Sequence, residues 1–126
     1  MNSEDLKNRT KLFALRIMKL VDALPRTTTG RAIGGQLIRS GTSVGANYRA
    51  ACRGRSKAEF AAKLGTVTEE ADESCFWLEL IIEGKLLADR LVTPLLDEAN
   101  ELTAVFTASA KTTRLQNQQS RKIGDL

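Results

Sequence analysis

The chain has 126 residues, with 19 lysines and arginines against 15 aspartates and glutamates, and it contains no histidine. This length predicts one domain with its own hydrophobic core, and the missing histidine removes the commonest general base and the commonest metal ligand. The two cysteines lack metal-ligand spacing, and the chain has neither a secretory segment nor an apolar run long enough to span a membrane. These features favour a cytoplasmic protein that uses no metal, cofactor or membrane.

The first predicted helix begins at Ser3 and ends before Pro25. Ser3 is expected to cap the first turn, and the residue before a proline disfavours helical backbone. Its inward side chains recur at intervals of four and three, as on one face of a helix. They are Leu6, Thr10, Phe13, Ile17, Leu20 and Leu24.

The second predicted helix covers residues 28–52 in spite of its glycines, because the same spacing continues through it. Each interior glycine costs a helix up to about 1 kcal/mol relative to alanine. Gly34, Gly41 and Gly45 therefore predict that a neighbouring backbone packs closely here, and Gly54 is expected in the turn that follows. The inward positions are Ile33, Leu37, Ser40, Val44, Asn47 and Ala51.

The third predicted helix starts with a capping box, in which Ser56 and Glu59 each satisfy a free backbone amide. It stops at Gly84, a typical helix terminator. Its stripe consists of Phe60, Leu64, Val67, Ala71, Ser74, Leu78 and Ile81.

The fourth predicted helix begins at Thr93, with Pro94 in its first turn. Four helices with short connections predict an all-α, single-domain, up-down-up-down four-helix bundle over residues 1–115. Residues 116–126 lack apolar periodicity and are expected to form a mobile tail.

An antiparallel turn between the second and third helices predicts ion pairs across their interface. It would place Arg49 beside Glu59, and Arg39 beside Glu69 and Glu70. A planar guanidinium suits such pairing with carboxylates. An alternative role for the acids of the third helix is to bind two metal ions in a carboxylate-bridged centre. Such centres normally use Glu-x-x-His pairs, and the chain has no histidine.

No carboxylate occurs from Ala23 to Ala58, so one face can be strongly basic although the net charge is only +4. Cations outside the expected ion pairs could neutralise phosphates without reading a base sequence. A solvated face without a ligand is the equal alternative. The candidate nucleic-acid-binding residues are Arg26, Arg31, Arg53, Arg55 and Lys57, together with Lys11 of the first helix.

Two motifs stand out in this pattern: Arg-Ser-x-x-Ser-Val-x-Ala-Asn-Tyr at residues 39–48 and Glu-Ala-x-Glu-x-x-x-Trp-Leu at residues 70–78. In combination they resemble the bacterial four-helix bundle family that includes the 23S ribosomal RNA intervening-sequence proteins, and the likeness extends from about residue 9 to 115. The resemblance implies a left-handed bundle, a homopentameric ring and no enzymatic activity. A related branch, the accessory variability proteins of diversity-generating retroelements, binds nucleic acid and a reverse transcriptase.

By the resemblance, the signature positions form a structural polar seam between the second and third helices or at a subunit contact. They are Arg39, Ser40, Ser43, Asn47, Glu70, Glu73 and Trp77. The chain departs from the family at residues 47–54, NYRAACRG, where many members have Asn-Ile-Ala-Glu-Gly. An arginine near the place of that glutamate makes this turn more basic.

Two functional hypotheses stay open. In the first, the protein is a non-catalytic oligomer that binds RNA or DNA through its basic surface. In the second, it is a protein-interaction adaptor or scaffold without a nucleic-acid role. An enzyme is not expected, because Cys52 and Cys75 have no histidine to activate them and no set of base, nucleophile and orienting residue can be assembled.

Overall fold

A computed structural model describes residues 1–124 and contains four α-helices and no strand within that range. Each helix packs on the next one in the chain, and α1 also touches α4, so the predicted all-α, up-down-up-down bundle is confirmed. The helices are α1 (Ser3–Asp22), α2 (Thr28–Cys52), α3 (Lys57–Glu83) and α4 (Asp89–Gly124).

The helix starts follow the predicted capping chemistry, with two corrections. Asn2, not Ser3, caps α1: its side-chain oxygen accepts from the Asp5 N–H at 2.9 Å, and Asp5 accepts from the Asn2 N–H in return. Ser56 caps α3 as predicted, accepting from the Glu59 N–H at 3.1 Å. The Glu59 carboxylate, however, accepts from the N–H of Arg55 rather than from that of Ser56.

Both ends of α4 differ from the prediction. The helix begins at Asp89 and carries Pro94 inside it, because the fully buried Val92 gives the preceding turn a core contact. It continues to Gly124, since Gln, Arg and Lys form helix readily and no interior glycine or proline interrupts them. The lack of apolar periodicity therefore did not end the helix. The mobility expected of residues 116–124 stays a prediction, and residues 125–126 lie outside the described part of the chain.

The predicted close packing at the glycines of α2 is confirmed. Gly41 lies directly against Ile17 of α1, so that a Cβ added there would be 2.8 Å from its Cγ1. Gly45 lies against Thr10 in the same way, because a Cβ added there would be 3.2 Å from the Thr10 Oγ1. Thr10 itself is buried, and its hydroxyl donates to the carbonyl of Leu6 at 2.8 Å. The backbones of α1 and α2 can approach this closely only because these positions lack a side chain.

The antiparallel order places the start of α1, the α2–α3 turn and the second half of α4 at one end of the bundle, here called the α2–α3 end. The rings of Tyr48 and Phe106 meet there, with centroids 5.2 Å apart. Thr113 is the last buried residue of α4, and the helix beyond it is exposed apart from a half-buried Asn117. About 11 residues of α4 thus extend past the core, a length of about 16 Å at 1.5 Å per residue.

Candidate functional site

A polar seam joins α2 to α3 near the middle of the bundle. The fully buried hydroxyls of Ser40 and Ser74 lie 3.0 Å apart, and each also reaches a carbonyl oxygen of its own helix. Nearby, Arg39 forms ion pairs with Glu70, at 3.1 Å, and with Glu73. The Trp77 indole N–H donates to Glu73 at 3.1 Å, which extends the network along α3.

The seam departs from the sequence prediction in three details. Arg39 pairs with Glu70 as predicted, but Glu69 is exposed and takes no part. The predicted Arg49–Glu59 pair is wrong, because Glu59 pairs with Lys63 instead. The remaining two predicted seam residues, Ser43 and Asn47, make their side-chain hydrogen bonds within α2.

The six predicted nucleic-acid-binding residues do not form one cluster. Arg26 and Arg31 lie at the α1–α2 loop, where Arg31 donates to the backbone carbonyls of Arg26 and Thr27. Arg53 lies 22 residues along α2 from Arg31, which corresponds to about 33 Å. The other four residues, Lys11, Arg53, Arg55 and Lys57, share the α2–α3 end.

A groove between α1 and α2 adds two cations to that end. It encloses about 490 Å³ and has Lys7 and Lys11 on the α1 side, and Arg49 and Arg53 on the α2 side. One acid, Glu4, also lines the groove, and the rest of the lining is mainly small: Ala14, Thr42, Gly45 and Ala46. The six candidate residues did not include Lys7 or Arg49, and Arg49 was expected to pair with Glu59. The signal available was their i, i+4 spacing to Lys11 and Arg53, which places each pair on one helix face.

The cations of this end are largely without carboxylate partners. Lys7 pairs with the exposed Glu4 at 3.3 Å. Of the cations around the groove and in the α2–α3 turn, five form no ion pair with any carboxylate among residues 1–124. These five are Lys11, Arg49, Arg53, Arg55 and Lys57.

Charge is also distributed unevenly along the bundle axis. The α2–α3 end, taken as residues 1–11, 46–66 and 104–124, holds twelve basic and three acidic side chains. The remaining residues up to 124 hold seven basic and eleven acidic ones. The modest net charge of the chain thus hides a strongly basic end, whose field attracts polyanions.

Other site types find little support in the described part of the chain. Residues 1–124 contain no group of three potential ligands that could hold a metal ion, and no helix among them is long and apolar enough to cross a bilayer. Burial raises the pKa of the Cys75 thiol, which disfavours the nucleophilic thiolate.

The family model for the 23S rRNA-intervening sequence protein matches residues 4–108. The chain belongs to this family. A crystal structure from Bacteroides thetaiotaomicron VPI-5482, described as a protein of unknown function from the S23 ribosomal protein family, is similar to it at 31% identity and a TM-score of 0.80. The match covers 88% of this chain and 99% of the Bacteroides protein. A search of functionally curated proteins finds no match.

Proposed function

We propose that this protein binds RNA or DNA without catalysing a reaction, and that it holds phosphate groups at the α2–α3 end. One observation carries the proposal: five cations without ion-pair partners are gathered around a groove and the adjoining turn. A cation that is already paired must lose its partner before it binds a phosphate, and these need not. Lysines and arginines that neutralise phosphates release condensed counterions, which makes such binding favourable and independent of base sequence.

The local backbone supports this use of the groove. Lys11 is one turn from Lys7, and Arg53 is one turn from Arg49, so that two rows of cations face each other across a floor of small residues. Because Gly45 and Ala46 leave the floor low, a phosphate can sit between the two rows rather than on top of them.

The experiment compares two triple charge reversals in full-length protein. The test variant is Lys11→Glu/Arg49→Glu/Arg53→Glu, and the matched control is Arg26→Glu/Arg31→Glu/Arg90→Glu, which changes the charge equally at the opposite end. Anisotropy of a labelled structured RNA is followed as salt rises. We expect the test variant to lose on the order of 100-fold in affinity at ~0.1 M salt and to flatten the log–log salt slope by about 2 to 3.

The control variant is expected to stay close to wild type, apart from a small general charge effect. Equal losses in both variants would show that net charge, and not the α2–α3 end, drives binding. Wild-type affinity in the test variant would overturn the proposal.

Self-association belongs to the same proposal. Its support is the outward face of α1, where Leu12, Leu15 and Met18 recur at intervals of three and are each about half exposed. Light scattering on the purified chain measures the assembled mass as a multiple of 13.8 kDa; a homopentamer is the state that the family resemblance implies. A monomer at micromolar concentration would contradict it.

One observation favours the alternative, a protein-interaction adaptor. Phe76 is 50% exposed beside Trp77, with ring centroids 5.0 Å apart, on an α3 face that also carries acids. Aromatic side chains are enriched at protein–protein interfaces. Capture of one stoichiometric partner protein, without nucleic acid, would favour this role over the first.

A further inference from the structure

The chain has six aromatic residues, and their positions bear on which form of nucleic acid the α2–α3 end can hold. Phe13, Tyr48 and Phe106 are at most 3% exposed. Phe60 is half-buried and packs on the core. Tyr48 and Phe60 line a separate recess with residues of α1 and α4, and none of these four rings lines the groove.

The other two rings lie far from the unpaired cations. Phe76 and Trp77 follow Lys57 by 19 and 20 residues along α3, which corresponds to about 30 Å. Their neighbourhood is acidic: Glu73 accepts from the Trp77 indole, and Asp72 lies one turn from Phe76. A strand whose phosphates sit in the groove cannot reach these rings with nearby bases, and the acids around them repel its backbone.

The groove also has few groups that could read a base edge. The Thr10 and Thr42 hydroxyls donate to carbonyls of their own helices. Asn8 is the one side chain amide along the groove. The other charged groups there are the exposed Glu4, which pairs with Lys7, and the cationic ends of Lys7, Lys11, Arg49 and Arg53, which bind phosphate readily.

We propose, on the basis of the proposed function, that the ligand of the α2–α3 end is a double helix, held through its backbone phosphates. Proteins that bind single strands combine a basic groove with aromatic platforms for the unstacked bases. Here the basic groove is present and the platforms are absent from it. A duplex presents two phosphates where one strand presents one, so it can contact more of the unpaired cations. Its bases also stay stacked inside the helix, so binding does not require them to unstack.

The overhang of α4 beyond Thr113 extends the same surface. Residues 114–124 carry Arg114, Arg121 and Lys122 and no acid, on a helix about 16 Å long. A straight, basic extension at the same end suits a rigid, elongated polyanion.

The experiment measures the affinity of the full-length protein for four probes of one sequence. Two are an RNA duplex and a DNA duplex of about 20 base pairs, on the order of two helical turns. The other two are an unstructured single strand of RNA and one of DNA. Anisotropy is recorded from ~50 to ~300 mM salt. We expect each duplex to bind at least about tenfold tighter than its single strand at ~0.1 M salt, which corresponds to one or two additional neutralised phosphates. A preference for the RNA duplex alone would assign the surface to A-form geometry, and equal affinities would assign it to the backbone charge of any duplex.

Single strands that bind as tightly as the duplexes would overturn the inference and leave the proposed function standing. Failure of all four probes to bind would overturn both. Phe76→Ala serves as a second check, because this side chain is 50% exposed and lies outside the core. Unchanged affinity for every probe is expected. A selective loss of single-strand binding of threefold or more would show base stacking and overturn the inference.

Arg121→Gln/Lys122→Gln separates the overhang from the groove. We expect it to weaken duplex binding and to lower the salt slope by up to about 2, with no change in the unfolding midpoint, since both side chains are exposed. A duplex affinity and salt slope equal to those of wild type would remove the overhang from the proposed surface.

Discussion

Arg39 and Arg49 lie ten residues apart on the same helix, yet they belong to two different regions of the molecule. Arg39 faces the α2–α3 seam and is paired with Glu70 and Glu73. Arg49 lines the α1–α2 groove and has no carboxylate partner among residues 1–124. Ten residues correspond to 2.8 helical turns, so the two side chains point about 80° apart around the helix axis.

The difference shows how a fold divides one residue type between structure and binding. The guanidinium at the seam is satisfied by acids of the adjacent helix and helps to fix the packing of α2 on α3. The guanidinium in the groove faces α1, whose charges along the groove are the lysines Lys7 and Lys11 and the exposed Glu4, which pairs with Lys7. Neighbouring cations repel one another, and an added polyanion relieves this repulsion.

The largest effect on the groove region is expected from Gly41→Ala. The new Cβ would lie 2.8 and 2.9 Å from Cγ1 and Cγ2 of Ile17, a stiff β-branched side chain. We expect overpacking to lower the free energy of unfolding by about 1–2 kcal/mol, net of the helix-propensity gain. Gly35→Ala is the matched control on the same helix, since nothing lies within 4 Å of its Cβ position. In urea denaturation, Gly35→Ala should be up to about 1 kcal/mol more stable than wild type. If Gly41→Ala and Gly35→Ala were both destabilising, the helix backbone, and not contact with α1, would explain why glycine is needed at these positions.

Arg9→Gln tests the contact between α1 and α4, on the other side of α1 from the groove. Arg9 donates to Glu98 at 2.7 and 2.8 Å and to Glu101 at 2.7 Å, and the Glu98 hydrogen bond raises the pKa of Arg9. The substitution leaves the poorly exposed Glu98 without its partner, and we expect a loss of about 1 kcal/mol. Lys7→Gln, which removes only an exposed ion pair with Glu4, should change stability by less than about 0.5 kcal/mol. Equal effects of the two variants in thermal unfolding would contradict this ranking.

Arg39→Gln and Arg49→Gln are expected to change stability least, and together they compare the two regions directly. Arg39→Gln should lower the free energy of unfolding by about 0.5–1 kcal/mol, because it leaves Glu70 and Glu73 unpaired, and should alter the emission of Trp77, which is bonded to Glu73. Its RNA affinity should stay that of wild type. Arg49→Gln should keep its stability within about 0.5 kcal/mol but lose about tenfold in RNA affinity at ~0.1 M salt. If Arg39→Gln lost affinity and Arg49→Gln lost stability, the assignment of the two regions would be reversed.

The sequence predicted most of the fold because helical periodicity, capping and chain breakers are local. The bounds of α2 agree with the predicted 28–52, since Pro25 precedes the helix and Gly54 follows it. The end of α4 was missed because the prediction required an apolar stripe, whereas residues 116–124 form helix from intrinsic propensity alone.

The candidate site was less predictable. Pairing residues about a turn estimates their height along the bundle but not the direction in which they point. Arg39 and Glu70 lie at the same height and also point toward each other, so they form the expected pair. Arg49 and Glu59 were estimated to lie at the same height, but Arg49 points toward α1. The expected pair therefore does not form, and Arg49 lines the groove. Arg26 and Arg31 were grouped with the α2–α3 turn because all these cations lie in the acid-free stretch from Ala23 to Ala58. Most of the length of α2 separates the two arginines from that turn.

The sequence by itself determined that this chain forms four amphipathic helices and that its second helix and the following turn carry cations without acids. Those properties depend on residue spacing and composition, which are local. Only the tertiary structure decided which cations are paired and which are free. That outcome depends on how α2 is rotated about its axis and how closely α1 approaches it at Gly41 and Gly45, and both are set by the packing of all four helices together.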